Sequence, residues 1–141
     1  MNTTETLARY VVDTRIEDIP DDVVAEARRA LVNYVGCAIG GSPESALDLA
    51  IEALLPYSGK PSASVLGRRE RCDALHAALF NGIGSHVHEY DDTLPKNYIH
   101  PSIPVASALF AHASAHPTNG REFVDAFILG FEAELIHLFV E

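Results

Sequence analysis

Asp73-Ala74-Leu75-His76-Ala77-Ala78-Leu79-Phe80-Asn81-Gly82-Ile83-Gly84-Ser85 runs into His86-Val87-His88-Glu89-Tyr90-Asp91-Asp92-Thr93, and His100-Pro101-Ser102-Ile103-Pro104-Val105 then opens a second alanine-rich segment. The first segment places Ala74, Leu75, Ala77, Ala78, Leu79, Phe80 and Ile83 at helical spacing, and Asp73 stands where an N-cap belongs. The second repeats the pattern from Val105 to His116, with Pro101 and Pro104 at its opening and Ser102 as a candidate cap. Small residues at 78, 82 and 85 predict that another backbone or a ligand comes close to the first helix. Between the two helices, residues 86–102 hold three histidines, three carboxylates and a threonine. Such groups are costly to bury without partners. The stretch is therefore either a solvated loop or a chemical site.

Outward from this pair the pattern stays helical. Residues 4–13 form a short amphipathic helix with Leu7, Val11 and Tyr10 on its apolar side. Pro20, Asp21 and Asp22 suit the first turn of the next, where proline is tolerated and acids meet the positive end of the helix. That helix becomes apolar nearly all round toward Ala38, which predicts an end driven into the core, and Gly40-Gly41 is expected to stop it. Ser42-Pro43-Glu44 reads as a fresh cap and first turn, with a helix running on to Pro56. Ala63-Ser64-Val65-Leu66-Gly67 is the one plausible strand, and Arg68-Arg69-Glu70-Arg71 reads as a solvated charged loop. After the turn Pro117-Thr118-Asn119-Gly120, a last helix carries Phe123, Val124, Phe127, Ile128, Phe131 and Leu135. The expected fold is all-α: one domain over residues 1–141, five to six helices and at most one short strand. The apolar end Leu138-Phe139-Val140-Glu141 reads as a helix cut short, the mark of a truncated domain or of one completed by a partner.

The totals limit the function classes. The chain has 141 residues, 48% hydrophobic and 21% charged, which is a globular composition. A formal net charge of −10 argues against nucleic acid, whose binding depends on neutralising phosphates. No apolar run reaches membrane-helix length, so no membrane partner is expected. The N-terminus has no signal-peptide pattern, so the default location is cytoplasmic, with organelle import left open. Cys37 and Cys72 are far apart and form no CxxC pair, which disfavours a structural zinc or iron–sulfur site. They are expected to be buried, reduced thiols. His76, His112, His116 and His137 are expected to be ordinary helix-surface histidines.

Three readings compete for residues 86–102. Metal binding is the weaker one, because His86 and His88 are two apart and no HExxH-like signature is present. A structural loop is the plain one, since aspartate is at home in turns. Acid–base chemistry is the third: a histidine carries a proton either way near neutrality, a carboxylate fixes its ring, and a threonine hydroxyl holds a substrate oxygen.

The order of motifs adds to this. Asn81-Gly82, His86, Glu89-Tyr90-Asp91-Asp92-Thr93 and His100-Pro101-Ser102 resemble the MmgE/PrpD family, as do Ile19-Pro20, Asn33 to Gly41, Val65-Leu66-Gly67 and Gly130-Phe131-Glu132. The resemblance implies an N-terminal part of that family's helical domain. It implies a lyase acting on a small di- or tricarboxylate by acid–base proton transfer, most of all a 2-methylcitrate dehydratase-like enzyme, without metal or organic cofactor and homodimeric at full length. Carried over, it assigns His100, Thr93 and Glu89 as catalytic residues and Asp91, Asp92, His86, His88 and Ser102 as supporting or substrate-binding ones. His100 and Thr93 would face substrate while the acids orient them. Glu89 stands where the family has aspartate, and the interval from Thr93 to His100 is about one residue longer than in the decarboxylase branch. The cations that a polyanionic substrate requires would come from residues downstream, so this chain alone is expected to be inactive. The alternative is a non-catalytic helical module that only associates with a partner chain.

Overall fold

The computed structural model describes residues 2–95 and 98–139. The side chains of Ile16 and residues 137–139 lie outside that description, and with them the expectations for His137 and for the apolar end at 138–141. The described residues form an all-α domain of six α-helices: α1 (Thr3–Asp13), α2 (Asp21–Gly41), α3 (Ser45–Leu54), α4 (Ala74–His86), α5 (Ser102–Ala115) and α6 (Gly120–Phe139). Two-residue strands β1 (Ala63–Ser64) and β2 (Arg71–Cys72) pair antiparallel, Ala63 opposite Cys72.

Helix α4 is the central element, packed between α2, α3 and α5. On one side Phe80 and Ala77 meet Leu47, Ile51, Val65, Cys72 and Ala111. On the other, Tyr34 of α2 packs with Ala27, Ala106, Phe127 and Ile128. A close backbone approach along α4 does occur, but it falls at Gly84, beside the expected positions 78, 82 and 85. Gly41 of α2 sits directly over the carbonyl oxygen of Gly84, and a Cβ on Gly84 would lie 3.5 Å from the Ala38 oxygen. On the α5 side a Cβ on Gly82 would lie 3.6 Å from Ser107 Oγ, and Ser107 in turn bonds the buried Tyr34 hydroxyl at 2.8 Å.

Helix α2 ends at Gly40-Gly41 as expected, and Gly41 also makes the crossing. Three local expectations change. Ser42 is not the cap of α3: its hydroxyl donates back to the Ile39 oxygen at 2.8 Å, and α3 starts after Glu44 without a side-chain cap. The apolar second half of α2 is only partly buried, leaving Val32 and Ile39 exposed. The charged run is part of a hairpin and not a free loop. Arg68 N donates to the Val65 oxygen at 3.2 Å, closing a turn in which Gly67 takes φ 73°. Arg71 lies in β2, and Arg68 reaches Asp48 at 2.7 Å and Glu70 at 3.1 Å. Asn81 of α4 clamps this hairpin, accepting from Leu66 N at 2.7 Å and donating to the Ser64 oxygen at 3.2 Å.

Asp73 performs the expected capping, accepting from Leu75 N and His76 N. Its second oxygen accepts from Gly59 N at 2.7 Å and Ser58 Oγ at 3.0 Å, and meets His76 Nδ1 at 2.8 Å. The Gly59 and His76 amides, helped by the His76 and Ser58 side chains, hold this carboxyl well below the usual carboxylate range. A depressed folded-state value gives stability that is present above the unfolded value, about 4. It is lost as pH falls toward the folded value. Asp73→Ala is therefore expected to lower the urea midpoint at neutral pH and to lose less stability than the parent between pH 4 and pH 2. Equal acid sensitivity in the two proteins would show that the cap is not the source.

Candidate active site

Two helix ends and the loop between them build the site. His86 is the last residue of α4, and Ser102 the first of α5. The connecting loop is drawn together by an antiparallel bridge between Leu94 and Ile99, with Leu94 N donating to the Ile99 oxygen at 3.0 Å. A bridge at 94 and 99 sets the flanking residues, Thr93 and His100, side by side. Thr93 Oγ1 lies 3.4 Å from His100 Nδ1. One step further out, Asp92 accepts from Ser102 Oγ at 2.6 Å and from Ser102 N at 3.3 Å. Asp92 thus serves the open N-terminus of α5, where backbone donors have no helical acceptor.

Asp91 is the centre of the cluster. Its side chain is 1% exposed. One oxygen lies 2.6 Å from His100 Nδ1, and the other lies 3.1 Å from His86 Nδ1. The two rings meet edge to face with centroids 4.7 Å apart. Both histidines are partly exposed, His86 at 46% and His100 at 29% of the side chain. A buried carboxylate requires a charged or hydrogen-bonding partner on each oxygen. Here two imidazoles supply both. The backbone beneath is tied to α2, where Asn33 Nδ2 donates to the Tyr90 oxygen at 3.0 Å.

Of the residues expected at the site, His86, Asp91, Thr93 and His100 come together, and Asp92 with Ser102 forms the adjoining pair. His88 and Glu89 stand apart. His88 Nε2 faces Glu44 of α3 at 3.5 Å. Glu89 is exposed and takes φ 54°, a left-handed conformation unusual for a residue with a long side chain. This turn, closed by Glu89 N on the His86 oxygen, carries the chain off the end of α4 and inserts Asp91 inward in place of Glu89.

His86 and His100 open onto a groove of about 640 Å³. Leu79, Ile83, Ile103 and Pro104 make much of its wall, and Ser107 adds a hydroxyl. Behind the loop sits Glu134 of α6, which sequence reading did not single out. Its Oε2 is buried without a hydrogen-bond partner among the described residues, and burial followed by the Asp92 charge pushes its carboxyl up. The only sequence signal was an acid at a position where α6 otherwise faces inward. Cys37 also borders the acids: burial, then Asp91 and Asp92, push its thiol up, which keeps it a poor nucleophile. Cys72 is buried in the core as expected.

Chemically, the cluster can hold or move a proton. Asp91 occupies the Nδ1 side of His100, which leaves Nε2 as the exchanging nitrogen. No lysine or arginine among the described residues pairs with Asp91 or Asp92.

Residues 5–137 match the profile of the MmgE/PrpD N-terminal domain. Among curated proteins the chain is similar to the cis-aconitate decarboxylase-like protein oryM of Aspergillus oryzae, 29% identical over 138 residues that cover 93% of this chain and 29% of that protein. It is 28% identical over 141 residues to the cis-aconitate decarboxylase of Homo sapiens, covering 95% of this chain and 29% of the relative. With that of Mus musculus it shares 26% over 136 residues, covering 93% and 28%. The chain thus spans less than a third of the length of the curated relatives it matches.

Proposed function

This chain belongs to the MmgE/PrpD family, and on that premise we propose that it forms one wall of a lyase site for a small tricarboxylate, with His100 as the proton-transfer residue. The observation that supports this most is the buried Asp91, which holds both imidazoles by Nδ1 and so leaves Nε2 unengaged by it on His100, a ring that lines the groove. In a dehydration, such a base takes the proton next to a carboxylate while hydroxide leaves and is protonated to water. In a decarboxylation, a carboxylate leaves as carbon dioxide, and the electron pair left on carbon accepts a proton from the imidazolium. Thr93, exposed and only loosely held at 3.4 Å from His100, is free to bond a substrate oxygen instead. The relatives' activity makes cis-aconitate the first substrate to assay, ahead of 2-methylcitrate.

The cations needed to hold a polyanion are absent from this cluster among the described residues, so the reading includes a complement from further chain. Purified as 141 residues, the protein is expected to turn over neither cis-aconitate nor 2-methylcitrate. A chimera in which residues 5–137 replace the matching part of the human decarboxylase is expected to release carbon dioxide from cis-aconitate. A folded chimera without activity toward either substrate would favour the second reading, a non-catalytic helical module. The lack of cations beside Asp91 and Asp92 among the described residues is the observation behind that alternative.

A further inference from the structure

We propose that His86, Asp91 and His100 also form a site for one divalent transition-metal ion of the zinc class. This site rests on geometry and does not depend on which reaction His100 serves. One ligand atom from each residue lies within 4.8 Å of the other two. Zinc bonds of about 2.0–2.1 Å in a tetrahedron put neighbouring ligand atoms about 3.3 Å apart. One oxygen, Asp91 Oδ2, lies 2.6 Å from His100 Nδ1 and 3.3 Å from His86 Nδ1, close to that edge.

Three further features favour an ion here. Asp91 is a buried carboxylate whose ion-pair partners among the described residues are the two imidazoles, so a dication neutralises a charge the fold has already placed. The carboxylate is held in place from both sides, which lowers the cost of organising the site. Both histidines are partly exposed on the groove side, which leaves an entry path and an open coordination position for water. Sequence spacing did not show this, because 86, 91 and 100 match no local metal signature and only the Leu94–Ile99 bridge folds His100 back. His112 and His116, stacked with centroids 4.3 Å apart on the exposed end of α5, form the competing site. That pair supplies two ligands and no carboxylate.

The consequence is inhibitory. An ion on His100 Nδ1 fixes the remaining ring proton on Nε2, so the ring no longer accepts a proton there.

The test uses the 141-residue chain with metal alone: zinc chloride by calorimetry and cobalt(II) by visible absorption, in a non-chelating buffer. One equivalent is expected to bind saturably, with cobalt bands of four- or five-coordinate intensity. His86→Ala, Asp91→Asn and His100→Ala are each expected to weaken binding at least about tenfold, while His112→Ala leaves it unchanged. Circular dichroism checks that each variant is folded. In the unmodified chain, substoichiometric cobalt is expected to shift or broaden the ring signals of His86 and His100 before those of His76, His112 and His116. This second readout needs no variant. Absence of saturable binding, or binding that follows His112 and His116, overturns the proposal without touching the lyase reading.

Discussion

Replacing His100 with alanine in the active chimera is expected to lower turnover by about 10²–10⁴-fold, the range for removing a positioned acid–base group. The fold should persist at some cost in stability, because the loss leaves one oxygen of the buried Asp91 carboxylate without its imidazole. His100 is partly exposed and lies in a loop, so its loss empties no core volume. The fall should appear in kcat, because the ring acts in the step that moves the proton and not only in holding substrate. Asp91→Asn probes the same chain of effects from behind. The amide keeps the shape but has one acceptor oxygen where the carboxylate has two, so it holds the imidazoles less well and an intermediate loss is expected. Thr93→Ala should instead act more on KM. Unchanged turnover in His100→Ala, with the protein folded, would move the proton-transfer role to another residue.

Gly41→Ala is expected to cost about 1–3 kcal/mol or more of stability, a large effect for one methyl group. A Cβ there would fall inside the envelope of the Gly84 carbonyl oxygen, 2.5 Å from Val87 Cγ1 and 3.1 Å from the Gly84 carbonyl carbon. Two of these three atoms are backbone of α4 and cannot rotate away. Relief therefore requires α2 and α4 to separate, which loosens the packing on both sides of α4 and displaces the end that carries His86. The same helix supplies a control. At Gly36 and Gly40 an added methyl group would meet nothing within 4 Å. Alanine at either should stabilise the helix by up to about 1 kcal/mol through propensity alone. Urea unfolding of the three variants decides between crossing and propensity: equal gains at 36, 40 and 41 would show that the crossing is not close.

Legibility followed the range of the forces involved. Asp73 was readable because a cap acts on amides two and three residues away. Asp21 and Asp22 were readable because acids suit the positive end of a helix, and they stand in the first turn of α2. The small residues of α4 announced a close crossing, although not that α2 would make it through Gly41. Ser42-Pro43-Glu44 carried a good local cap signal that lost to tertiary contact: Ser42 is buried beneath the Gly67 turn, and its hydroxyl bonds back to Ile39. Arg69 and Arg71 are exposed as read, but Arg68 was misread as solvated because its partner Asp48 meets it only once the hairpin lies on α3.

At the site the division is sharper. Sequence alone determined the helical class and the concentration of histidines and carboxylates between α4 and α5, because side-chain type, periodicity and capping are local properties. It could not rank the acids. Glu89, Asp91 and Asp92 are near neighbours on the chain with the same charge. Only the tertiary structure turned Glu89 outward at φ 54°, tied Asp92 to Ser102 and buried Asp91 between His86 and His100. The physical reason is desolvation: once α4 and α5 close the loop, one carboxylate must lose its water, and it is the one for which two imidazoles can replace it.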